Sequence, residues 1–94
     1  MIHFTGWPDI IDYAARNINS RAIKRAFCEG RVQRWGEYRE HVPGSRHPGW
    51  LIRVTSRHGT VWNVAVTADD ERHTYHVWVA PMRPFEEAEY GLGI

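Results

Sequence analysis

The stretch from Thr60 to Ala80, TVWNVAVTADDERHTYHVWVA, constrains this chain more than any other. Two runs of alternating β-branched and aromatic residues flank the polar segment Ala68 to His73, the pattern of a β-hairpin. Successive side chains of a strand point to opposite faces. Trp62, Val64 and Val66 therefore share one face of the first run, and Tyr75, Val77 and Val79 share one face of the second. The other faces carry Asn63, His76 and Trp78. A third run, Trp50 to Ser56, alternates in the same way. It meets the first through the tight turn Arg57-His58-Gly59, where glycine supplies positive φ. An antiparallel meander over 50–80 follows.

Helices are expected ahead of the sheet. Gly6-Trp7-Pro8-Asp9 reads as a helix start, with Pro in the first turn and an acid at the positive end of the dipole. Ile10, Ile11, Ala14, Ala15 and Ile18 recur at helical spacing. Asn17 to Asn19 interrupts the pattern, and Asn19 or Ser20 can cap a second helix. The stripe of that helix is Ala22, Ile23, Ala26 and Phe27, with Gly30 as a left-handed cap. Arg21, Lys24 and Arg25 lie off the stripe and read as a solvated face. Arg31 to Trp35 is a short or bulged strand, because Val32 and Trp35 fall on opposite parities. A loop over 36–49 contains two Pro-Gly turn signals and His41, Arg46 and His47. Pro81 and Pro84 stop the last strand. A helical turn or two over 84–90 and a frayed end complete the tail at 81–94. The expectation is one α+β domain over 1–94, with N-terminal helices (about 8–30) on one face of a three- to four-stranded antiparallel sheet.

Composition narrows the classes of function. The net charge of +1 gives no global attraction to nucleic acid or to anionic membrane. Eleven of the twelve basic residues are Arg, which suits phosphate recognition, although a GC-rich genome produces the same bias with no function and is the favoured explanation. Cys28 is the lone cysteine, so no intramolecular disulfide forms and a reducing, cytoplasmic setting is expected. Its place beside Phe27 suggests a buried, inert thiol. MIHFTGWPDI lacks the features of a signal peptide, and no apolar run is long enough to cross a membrane.

Pairing Ser56 with Thr60, and Thr67 with Thr74, sets the sheet register. Val54, Trp62 and Val79 then form one row of an apolar face, followed by Ile52, Val64 and Val77, and by Trp50, Val66 and Tyr75. On the other face Arg53, Asn63 and Trp78 form one row, and Leu51, Ala65 and His76 the next. Cross-strand neighbours interact directly. His76 can act as a general acid or base near neutral pH. Arg53 can steady an oxyanion or phosphate, and Trp78 offers a ring for stacking a base. These are parts suited to RNA cleavage. The other reading of the same residues places them under the C-terminal tail or in a homodimer interface, where aromatic residues are enriched.

No metal site is expected. His73 and His76 would face opposite sides of a strand, and a single Cys provides no thiolate pair. No phosphate-loop, dinucleotide or hydrolase-elbow pattern is present, so no cofactor is implied.

The order of helices, Gly30-Arg31-Val32, a turn-rich loop and an antiparallel meander resembles the small RelE- and BrnT-type toxin superfamily over about Ala14 to Pro81. That resemblance implies a cytoplasmic protein that cleaves RNA or inhibits translation, with RNA or the ribosome as target and an antitoxin as partner. Arg53 and His76 fit the catalytic roles of that superfamily. Asn63, Trp78 and Arg83, the last just beyond the final strand, fit substrate contact. The competing expectation is a non-enzymatic interaction module, such as a phage or mobile-element protein, that binds a host protein through the outer sheet face. A third is a small-ligand binder using that aromatic face. An enzyme should expose His76 and Arg53 together, whereas a module should present Trp78, Leu51 and Val61 as an apolar patch.

Overall fold

The computed structural model describes residues 3–37, 49–69 and 74–80. His41, Arg46 and His47 of the expected loop, the hairpin tip 70–73, Pro81, Arg83 and the helical turn expected over 84–90 lie outside them. Two helices precede four strands: α1 Trp7–Asn17, α2 Arg21–Glu29, β1 Arg31–Glu37, β2 Gly49–Thr55, β3 Val61–Asp69 and β4 Thr74–Ala80. The strands form one antiparallel sheet in the order β1-β2-β3-β4. This is the α+β arrangement expected. The strands extend into the expected loop at both ends, because Gly36 and Glu37 pair with Leu51 and Trp50, and Gly49 pairs with Thr67.

Local chemistry sets the helix ends. Pro8 occupies the first turn of α1, and Asp9 accepts hydrogen bonds from the Thr5 backbone N–H (3.1 Å) and hydroxyl (2.5 Å). The hydroxyl bond first, and the backbone bond with it, hold the Asp9 carboxyl below its ordinary pKa. Of the two candidate caps for α2, Ser20 serves: its Oγ accepts from Ile23 N–H at 3.3 Å. Gly30 does not adopt the left-handed conformation expected of it; its φ is −96° and its ψ −155°. Glycine is needed there for a different reason. A Cβ at Gly30 would lie 2.0 Å from the Thr55 carbonyl oxygen, so only a bare α-carbon lets the α2–β1 corner close on β2. Gly59 in the β2–β3 turn does take positive φ, 90°, as anticipated.

The core lies between the helices and one sheet face. Ile10, Ala14, Ile18, Ile23 and Ala26 meet Ile52, Val54, Val64 and Val66, all buried. Full burial of each such Ile or Val is worth about 1.5–3 kcal/mol. Phe4, Tyr13, Trp50 and Tyr75 close one end with ring centroids 4.8–6.1 Å apart, and the Tyr13 hydroxyl donates to the Tyr75 carbonyl at 3.2 Å.

Three further expectations are corrected. The β2–β3 register is as read, with Ile52 opposite Val64 and Arg53 opposite Asn63. The β3–β4 register is shifted by two residues: Thr67 pairs with His76 and not with Thr74. A shift of two preserves which face each side chain occupies, so the apolar pattern cannot detect it. Second, Val79 is not beneath the helices and remains 45% exposed. Within β4, Tyr75 and Val77 pack against the helix-side core, whereas Val79, nearer the end of the strand, does not. Third, Cys28 is exposed, because the buried stripe of α2 runs through Ile23 and Ala26 and leaves Cys28 off it. No helix among the described residues is long and apolar enough to cross a membrane.

Candidate functional site on the outer sheet face

The outer face separates the residues that the sequence suggested would act together. Arg53 is 1% exposed and Asn63 2% exposed. Arg53 Nε donates to Asn63 Oδ1 at 3.1 Å, and the guanidinium carbon sits 3.5 Å from the centroid of the Trp35 ring. Trp35 reaches this position because it is the extra residue of a β-bulge. Arg34 pairs with Ile52 and Gly36 with Leu51, leaving Trp35 between them. The opposite parities of Val32 and Trp35 have the same cause: Val32 packs toward the helices and Trp35 packs toward the outer face. Leu51, Ala65 and Ala80 complete a small buried cluster with Trp35 and Trp78 around this pair.

His76 stands elsewhere. It pairs with Thr67, four positions along β3 from the Asn63 that faces Arg53, and it is exposed. At about 3.4 Å per residue and about 4.8 Å per strand, His76 and Arg53 are roughly 17 Å apart at the backbone. Trp78 lies opposite Ala65, not Asn63. Its indole Nε1 donates to Thr67 Oγ1 at 3.0 Å, and its ring lies nearly parallel to that of His76, with centroids 6.3 Å apart and a 16° interplanar angle. The outer face thus holds two arrangements. One is a sealed Trp35–Arg53–Asn63 sandwich. The other is an open His76 shelf backed by Trp78 near the β4 edge. Leu51 is buried and Val61 and Trp78 are half-buried, so the patch expected of them is not an open one.

Arg53 and Asn63 have almost no access to solvent beneath the half-buried Trp35, and a guanidinium so covered cannot touch a substrate in solution. What remains open along β4 is His76 on the outer face and Val79 on the inner. Among the described residues, β4 pairs with β3 alone. No three His, Cys, Asp or Glu side chains among the described residues converge on a point where a cation could sit.

The structure also brings together residues that the sequence did not associate. Arg21 and Arg25 of α2 line one groove together with Arg57 and His58 of the β2–β3 turn and Trp62 of β3. The turn was legible as a turn, but its proximity to α2 depends on how the helix crosses the sheet, which local patterning does not encode.

No protein-family model matches this chain, and comparison with curated proteins and with solved structures likewise returns no match.

Proposed function

We propose that this chain is a RelE-like, cytoplasmic interaction protein that acts by binding a protein partner along the β4 edge, not by cleaving RNA. The observation that carries this reading is the burial of Arg53 beneath Trp35, far from the exposed His76. General acid–base catalysis requires the participating groups within hydrogen-bond reach of one reacting centre. A ribonuclease built on Arg53 and His76 would need the two residues on the same phosphate.

The β4 edge suits a partner better. The strand Thr74–Ala80 contains no Lys, Arg, Asp, Glu or Pro, the devices that usually blunt an edge. The opposite edge, β1, carries Arg31, Arg34, Glu37 and a bulge. A partner segment running along β4 would cover His76 on one face and Val79 on the other in a single event, in the manner of strand addition. In the toxin setting that the resemblance suggests, an antitoxin or a host protein would supply that segment.

Expression of the wild type, His76→Ala and Val79→Lys in bacteria, with growth and RNA integrity followed, tests the reading. RNA is expected to stay intact with all three. Any growth inhibition should be relieved more by Val79→Lys than by His76→Ala. RNA cleavage that His76→Ala abolishes would overturn the proposal.

A further inference from the structure

On the helix side of the sheet, a groove of about 1000 Å³ runs between α2 and the β2–β3 turn. Arg21 and Arg25 line one wall; they are four residues apart on α2 and so project from the same side of the helix. Arg57 and His58 line the groove from the β2–β3 turn, and Trp62, Ala22 and Ala26 supply its apolar lining. Among the described residues, neither Arg21 nor Arg25 has an ion-pair partner. The one carboxylate among the described residues lining the groove, Glu29, lies 3.8 Å from Arg57, and both side chains are exposed. Three guanidiniums against one carboxylate give the described lining of the groove a positive balance while the whole chain stands near neutrality.

We infer that this groove binds a nucleotide, with the phosphate held by Arg21, Arg25 and Arg57 and the base lying against Trp62. The inference does not rest on the partner reading, since its phosphate contacts come from α2 and the β2–β3 turn, although Trp62 shares a sheet face with Val79, one strand over and two residues along. Arg forks match phosphate oxygens in a way a point charge does not. An indole beside small Ala side chains offers a flat surface that excludes water from one side of a base. The groove is open along its length, so the same contacts could be made by a free nucleotide or by one unit of a single strand. Glu29 opposes the ligand, because it competes for Arg57 and repels phosphate.

Titration of the full chain at low salt with inorganic phosphate, AMP, ATP and short single-stranded RNA, followed by heteronuclear NMR, tests the inference. AMP should shift the Trp62 indole and the Arg57–His58 amides at concentrations where inorganic phosphate does not. Arg25→Glu, an exposed substitution that leaves the core untouched, should weaken binding at least tenfold. Glu29→Gln should strengthen it several-fold. If RNA affinity rises with length well beyond that of AMP and ATP, the source is a strand; if ATP and AMP match the RNA, the source is a free nucleotide. Equal binding of phosphate and AMP, shifts elsewhere on the surface, or an unchanged affinity in Arg25→Glu would overturn it.

Discussion

Replacing Arg53 separates a structural from a catalytic role for the outer face. In the structure Arg53 is 1% exposed, bonded to Asn63 and stacked on Trp35. Arg53→Ala removes a hydrogen bond from a charged donor, worth about 1.5–3 kcal/mol. It removes a desolvated cation–π contact worth about 2 kcal/mol. It also leaves a cavity, at roughly 24 cal/mol per Å³. Against these stands the return of a buried charge to water in the unfolded comparison, an effect of several kcal/mol. The net expectation is a loss of about 2–4 kcal/mol, a large share of the ~5–15 kcal/mol typical of a domain. For a domain of this size that lowers Tm by about 10–25 °C. Arg53→Met fills most of the volume without a charge and should stay within about 1 kcal/mol of the wild type. Asn63→Leu, which deprives the buried guanidinium of an acceptor, should cost about 3–5 kcal/mol, and adding Arg53→Met should restore part of it. Urea denaturation followed by tryptophan fluorescence and circular dichroism reads the wild type and all four variants. If Arg53→Ala changes stability by less than about 0.5 kcal/mol, as a solvated surface residue would, the sandwich contributes nothing and the argument for a sealed outer face fails.

Other outcomes follow from the same structure. Val64 is fully buried among the helices and β2, so Val64→Asp should abolish cooperative unfolding, as judged by loss of near-ultraviolet circular dichroism. Cys28 should react with a bulky thiol reagent in the folded protein at the same rate as in the urea-unfolded chain, to within a few-fold, and labelling should leave Tm unchanged. The Asp9 carboxyl is depressed by its bonds from Thr5, so those bonds stabilise the fold at neutral pH and the contribution is lost as pH falls through the folded pKa. Thr5→Val should raise the Asp9 pKa measured by NMR, and the stability difference from the wild type should vanish in acid.

The sequence carried the fold class because both periodicities are strong where the core is. Ile10, Ala14 and Ile18 on one side, and Ile52, Val54, Val64 and Val66 on the other, are placed by pattern alone, and the turn at Gly59 set the β2–β3 register. The outer site was less legible for two physical reasons. The β3–β4 connection contributes two more residues to the strands than its polarity implied, since Ala68 and Asp69 pair with Tyr75 and Thr74. That shift keeps every face and yet moves His76 and Trp78 along the sheet. The second reason is the bulge in β1: its irregular parity was visible, but that Trp35 would cap Arg53 depends on cross-strand geometry. A buried Arg and a catalytic Arg look alike in a strand until the neighbour that covers one of them is known. Cys28 was misplaced by reading burial from its neighbour Phe27, where the stripe passes through Ile23 and Ala26.

The claim that a protein partner adds along β4 is tested most directly by site-specific photo-crosslinking in cells. A photoreactive residue at position 79, on the exposed β4 edge, is compared with one at position 33, exposed on β1 at the opposite edge. The account predicts one discrete protein adduct from position 79, absent from position 33, with its peptide mapped by mass spectrometry to an extended segment of the partner. Equal adducts from both positions, no adduct at 79, or crosslinks at 79 to RNA alone would contradict it.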